Sequence, residues 1–226
     1  MRNSRNIPAL SLLLFAAMTL CPVASARAQT SWSDSLATLQ QQIRHNPGDV
    51  DLRLRKAAVN IELGQWEYAA EEYGRVLQRE PHNLTAHFFR AYAYVQLRQL
   101  PMAAADYEAV LQHLPSHFEA RLGLAEVKRE QGRRTEAMDQ LNMLVQQHSD
   151  SAMAWAMRAT CEEEIALSDV KKDANGNPKA APKGKAAGWL ETAEYDWQQA
   201  VRLAPGRQDF RLALRRVRRM LSAGQE

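Results

Sequence analysis

Apolar residues along this chain recur at three- and four-residue steps, the spacing of one helix face. Leu36, Leu39 and Ile43 form such a stripe near the start, and Phe210, Leu214, Val217 and Leu221 form another near the end. Between them the pattern returns every 34 residues. Ala57, Ala91, Ala125 and Ala159 share one column, Ala69, Ala103 and Ala137 a second, and Tyr73, Tyr107 and Leu141 a third. Pro47, Pro81 and Pro115 keep the same step, as do Gly64, Arg98 and Gly132. A period in this range marks a stacked-repeat architecture, in which each unit buries its apolar face against its neighbours. It predicts helix pairs at 50–63 with 66–79, 84–97 with 101–113, and 117–131 with 134–147.

Local signals agree with these boundaries. Asp49 and Asn83 are N-cap residue types, and Ser116 with Glu119 has the spacing of a capping box. Gly64 suits a tight turn between paired helices, where Arg98 replaces it one repeat later at a small cost. Ser31 and Asp34 predict the start of a single leading helix within 29–48. A fourth pair is interrupted. Its helices are expected at 152–168 and 188–203, with Ala193, Trp197 and Ala200 at repeat offsets. The turn glycine due at 166 falls at Gly188, so about 22 residues are inserted. The insert, 169–187, is rich in Lys, Ala, Gly and Pro, a composition that predicts a flexible loop. A final basic helix is expected within 207–226.

These columns resemble the tetratricopeptide repeat (TPR) family. The matching residues are Ala57, Gly64, Trp66, Ala69, Tyr73, Leu77 and Pro81, then Ala91, Tyr94, Ala103, Tyr107, Leu111 and Pro115, then Ala125, Gly132, Ala137 and Leu141. The resemblance implies an all-α solenoid of stacked helix-turn-helix units, a right-handed superhelix of about ten helices. Its repeats would occupy 50–83, 84–117, 118–151 and 152–206, within an array at 49–206. The resemblance further implies a partner-binding concave face lined by the first helix of each pair. Projected onto this chain, that face carries Leu54, Ala58, Ile61, Phe88, Tyr92, Val95, Leu122, Glu126, Arg129 and Glu163. A partner segment with apolar anchors and a basic residue would suit it. Leu54 and Ala58 stand where some family members hold a carboxylate with Lys and Asn, so that activity is not carried over.

The N-terminus changes where this protein is expected to act. Arg2 and Arg5 precede an apolar run at 9–20, then small residues at Ala24, Ala26 and Ala28. This is the form of a cleavable export signal, 1–28, with two candidate cleavage sites. It implies a periplasmic or secreted protein with envelope partners and no membrane span once cleaved. Leu20 before Cys21 argues against lipid attachment, which wants a small residue there. Loss of Arg2, Arg5 and Arg27 reduces 29 basic residues to 26, equal to the 26 acidic ones. The remaining charge is uneven: 169–187 holds five Lys against two Asp, and 207–226 six Arg against two acids. Lys171, Lys172, Lys183 and Lys185 with Arg211, Arg215 and Arg218 are thus candidates for an anionic lipid or glycan surface, the alternative function. Nucleic acid is an implausible anion for an exported protein.

Candidate chemistry is sparse. No phosphate-cradling glycine loop, nucleophile elbow or zincin motif occurs, so a non-catalytic protein without cofactor or metal is expected. His113 and His117 have a metal-pair spacing, but Pro115 breaks any helix between them. Glu162, Glu163 and Glu164 point in three directions from one helix and are expected to be solvated. Cys161 lies among apolar residues and is expected to be a buried, inert thiol.

Overall fold

The structure, a computed structural model, describes residues 22–168, 170 and 182–223. Most of the expected export signal, and Lys171 and Lys172 of the insert, lie outside the described residues. Ten helices form the described part: α1 (Pro22–His45), α2 (Val50–Glu62), α3 (Trp66–Arg79), α4 (Leu84–Gln96), α5 (Leu100–His113), α6 (Phe118–Glu130), α7 (Arg134–Gln147), α8 (Ala152–Ala166), α9 (Lys185–Leu203) and α10 (Gln208–Ser222). No strand occurs among the described residues. The chain divides into two units, Met1–Val110 and Leu111–Glu226.

In the N-terminal unit α1 packs on α2, α2 on α3, and α3 on α4. The alanine columns explain how closely they do so: Ala57, Ala69, Ala86 and Ala93 are fully buried where larger side chains would hold the helices apart. Tyr73 fills the space beside them and stacks on Phe89, ring centroids 6.0 Å apart. The C-terminal unit repeats the scheme from α6 through α10, each helix on the next. There Ala159, Ala193 and Ala200 are buried, and Trp197 takes the place of the tyrosine, meeting Phe210 of α10 at 5.7 Å. Burial at roughly 25 cal/mol per Å² of apolar surface makes these interfaces the main stabilising element.

The turns between paired helices share one geometry. Gly64, Arg98 and Gly132 have φ of 66°, 59° and 76°. After α2, the Gly64 N–H reaches the Ile61 carbonyl at 2.9 Å and the Gln65 N–H reaches the Asn60 carbonyl at 2.8 Å. This Schellman arrangement satisfies carbonyls that the helix end leaves open. Asp49 and Asn83 cap α2 and α4 by accepting from the N–H groups of Leu52 and Ala86.

Four local expectations are corrected. Helix α1 begins at Pro22, so Ser31 lies inside it rather than at its start. The N-cap of α6 is His117, whose Nδ1 accepts from the Ala120 N–H at 3.3 Å; Ser116 lies one residue too early to do so. The positive-φ glycine before α9 is Gly184, at 60°, and Gly188 is helical. The insertion therefore gives α9 an extra first turn. Glu162 and Glu163 are buried, each 4% exposed, because α8 is covered on more than one side.

Candidate functional site

Each repeat joint is closed by a side chain six residues beyond its proline. Arg53 donates to the Pro47 carbonyl at 3.0 Å, and a His87 ring nitrogen lies 3.0 Å from the Pro81 carbonyl. Arg121 bonds to the carbonyl of Pro115 and Arg211 to that of Pro205. Trp155 donates to the carbonyl of Ser149 at 2.8 Å, where the proline is missing. The same column and the residue three further on also clamp the second helix. Arg53 and Lys56 hold Glu72 at 3.0 and 2.8 Å; His87 and Arg90 hold Asp106, each at 2.7 Å. Arg121 holds Gln140 at 2.8 Å, and Arg158 holds Asp196 at 2.6 and 2.9 Å. The acids are buried, so each is compensated by more than one charge-assisted bond. From Arg90–Asp106 to Arg158–Asp196 the separation grows from 16 to 38 residues, a difference of 22 that matches the insertion.

The ten residues projected onto the partner-binding face fall into two sets. In the N-terminal unit, Ala58 is exposed and Leu54, Ile61, Phe88 and Val95 are half-buried. Tyr92 is buried edge-on against Trp66 at 5.8 Å, and burial raises its pKa. In the C-terminal unit Leu122, Glu126 and Glu163 are buried. Glu163 accepts from the Trp197 indole at 2.6 Å and from Arg216 of α10 at 2.8 and 3.0 Å. Arg129 bonds Glu164 across to α8 and reaches Glu126 at 3.3 Å. Burial raises the pKa of Glu126 and of Glu163, with Arg129 and Arg216 opposing it. Arg129 and Arg216 pair with these carboxyls within the chain, while Glu126 Oε2 has no hydrogen-bond partner among the described residues.

The described basic candidates are exposed, and two of them are engaged. Arg211 bonds to the Pro205 carbonyl, and Arg218 donates to Glu194 at 2.8 Å. Arg215, Lys183 and Lys185 are exposed. Arg215 stands where the buried alanine of earlier repeats would be, and no second helix follows α10 among the described residues to require a small side chain there.

A cleft of about 790 Å³ opens in the C-terminal unit between α7 and α9, with α8 as its floor. Its floor carries Arg158 and Glu162, and its α9 wall carries Trp189, Thr192, Tyr195 and Asp196. Burial, then the Asp196 charge, pushes the Glu162 carboxyl up to about 8, against the pull of Arg158. Cys161 beside it is fully buried, and burial lifts its thiol to about 11, the state of an inert sulfhydryl.

One tetratricopeptide repeat family profile matches residues 60–112 and another matches 98–161. The chain is a tetratricopeptide repeat protein. Solved structures with the same fold include MamA residues 41-end from Desulfovibrio magneticus RS-1, at TM-score 0.65 and 14% identity, covering 81% of this chain and 92% of that one. MamA AMB-1 aligns at TM-score 0.61 and 20% identity, covering 81% of this chain and 88% of that one. TTC0263, a thermophilic TPR protein in Thermus thermophilus, aligns at TM-score 0.56 and 18% identity, covering 86% and 94%. No curated protein matches the chain.

TPR proteins bind protein partners and are generally non-catalytic scaffolds. Within this TPR protein, no group of three or more His, Cys, Asp or Glu among the described residues is arranged to hold a metal ion. No described helix is long and apolar enough to cross a membrane. The joint residues and the cleft were missed from the sequence. The joints had a signal: donors at 53, 87, 121 and 155, and acids or an amide at 72, 106 and 140, keep the same 34-residue step. The cleft had none, because its walls come from helices separated by the insertion.

Proposed function

We propose that this TPR protein is a non-catalytic scaffold of the cell envelope that holds a segment of a partner protein against the first helices of its N-terminal unit. The observation that carries this reading is the set of half-buried apolar side chains, Leu54, Ile61, Phe88 and Val95, which with exposed Ala58 lie on the first helices of two successive pairs. A partner's apolar side chains would remove this surface from water, while main-chain and rim contacts would set its register. The matching positions of the C-terminal unit are buried, as Leu122 is, or engaged in the chain's own ion pairs, as Glu126, Arg129 and Glu163 are, which favours the N-terminal unit. Export is supported by the basic, apolar and small-residue sequence at 1–28.

The test is affinity capture from envelope extract with the wild type and with Ala58→Arg. Ala58 is exposed, so the variant blocks the face without entering the core. Loss of the captured partner with an unchanged melting curve supports the reading. Equal capture by both proteins overturns the site. N-terminal sequencing of the native protein should begin after Ala26 or Ala28; an intact Met1 in a cytoplasmic fraction overturns export.

A further inference from the structure

We propose that the cleft between α7 and α9 is a second binding site, which receives a lysine side chain of a partner polypeptide. The first ground is a carboxyl with one unanswered oxygen. Glu162 is 96% buried (4% exposed) on the cleft floor, and its Oε2 has no hydrogen-bond partner among the described residues. Buried polar atoms are seldom left so, and one beside a cavity calls for a partner such as a water, an ion or a ligand group. The neighbouring groups do not serve. Arg158 lies close enough to influence Glu162, but its guanidinium is committed to Asp196 through two bonds, to Asn142 at 3.1 Å and to the Trp155 ring at 5.0 Å. The Thr192 hydroxyl hydrogen-bonds the Glu162 carboxyl and favours its charged form, but it also donates to the Trp189 carbonyl at 2.9 Å, and Oε2 stays without a partner.

The second ground is the composition of the walls. With Arg158 and Asp196 paired, the remaining charged groups are Arg134 and Asp139 on α7, Glu162 on α8 and Glu191 on α9. Once Glu162 ionises, three carboxylates face one guanidinium, which favours a cation. Trp189 and Tyr195 are large aromatic residues left 37% and 54% exposed at the cleft. Aromatic faces attract an ammonium group and cover the methylene stem that carries it. A single unpaired and enclosed carboxylate oxygen suits the compact ammonium of lysine better than the two-pronged guanidinium of arginine. A cleft of about 790 Å³ exceeds what one alkylammonium fills, leaving room for the residues that flank it. Trp189 follows directly on the extra turn that the insertion adds to α9.

The cleft belongs to the C-terminal unit and Ala58 to the N-terminal one, so it can be tested independently of the proposed function. The probe is a capped Gly-Lys-Gly peptide, titrated calorimetrically against the same peptide with norleucine in place of lysine. The lysine peptide should bind at least tenfold more tightly. Glu162→Gln should remove that preference, Trp189→Ala should weaken binding about fivefold, and Ala58→Arg should change nothing. Because the carboxyl must ionise to meet the ammonium, wild-type affinity should rise from pH 6 to pH 8.5 and stay flat in the Glu162→Gln protein. Melting curves of both cleft variants report folding, and Trp189→Ala alters only a partly exposed side chain. Equal binding of the two peptides, or an unchanged preference in Glu162→Gln, overturns the site. Binding of free cadaverine without binding of the peptide overturns the polypeptide as its source.

Discussion

At the scale of single residues, the C-terminal unit carries a group of buried carboxyls. Glu126, Glu162, Glu163 and Asp196 all have raised pKa values, with burial as the leading cause. For Glu162 the ordinary 4.5 becomes about 8. The native state therefore binds this proton more tightly than the unfolded chain does. The stability that this preference adds is complete below pH 4.5 and is lost as pH rises through about 8. Within that window the slope approaches about 1.4 kcal/mol per pH unit. In urea titrations at pH 5 and pH 8, the wild type should lose stability relative to Glu162→Gln as pH rises. Parallel profiles would mean that Glu162 is already charged in the native state. Asp196 tests the joints: Asp196→Ala leaves Arg158 without its carboxylate and should cost about 3 kcal/mol in chemical denaturation. Replacing both partners, as Arg158→Met with Asp196→Leu, should recover most of that loss.

At the scale of elements, the turns were legible because their requirement is local. Positive φ after the first helix of a pair asks for glycine, and glycine stands at 64 and 132. A Cβ at Gly132 would meet nothing within 4 Å, so Gly132→Ala isolates the backbone cost. It should destabilise by about 1 kcal/mol in a urea titration. Arg98 at φ 59° is the reverse experiment, and Arg98→Gly should raise stability by up to about 1 kcal/mol. The start of α9 was less legible. Counting repeats pointed to Gly188, but Lys185, Ala186 and Ala187 are good helix formers and extend the helix back to Gly184. Their place beside a Lys-, Gly- and Pro-rich stretch disguised them as loop. The start of α6 was misplaced because a histidine nitrogen can perform the task that serine usually performs.

At the scale of the whole molecule, α10 closes the C-terminal unit. It buries Phe210, Ala213, Leu214 and Val217 against that unit and sets Arg216 on Glu163. Deleting 207–226 would expose Trp197 and leave Glu163 buried without its arginine. A fully buried side chain of this size contributes roughly 2 kcal/mol, so the truncated protein should bind a hydrophobic dye and lose several degrees or more of melting temperature. A truncated protein that melts like the full chain would show α10 to be an appendage. The sequence by itself determined the helices, their pairing and their register, because period, helix propensity and turn chemistry act over a few residues or repeat visibly. Only the tertiary structure decided which polar side chains are spoken for. Glu163 is answered by residues 34 and 53 positions away, and Glu162 is enclosed yet lacks a partner for one oxygen. Whether a charge is solvated, paired or stranded depends on what packs over it, and that cover comes from helices whose approach no local pattern encodes.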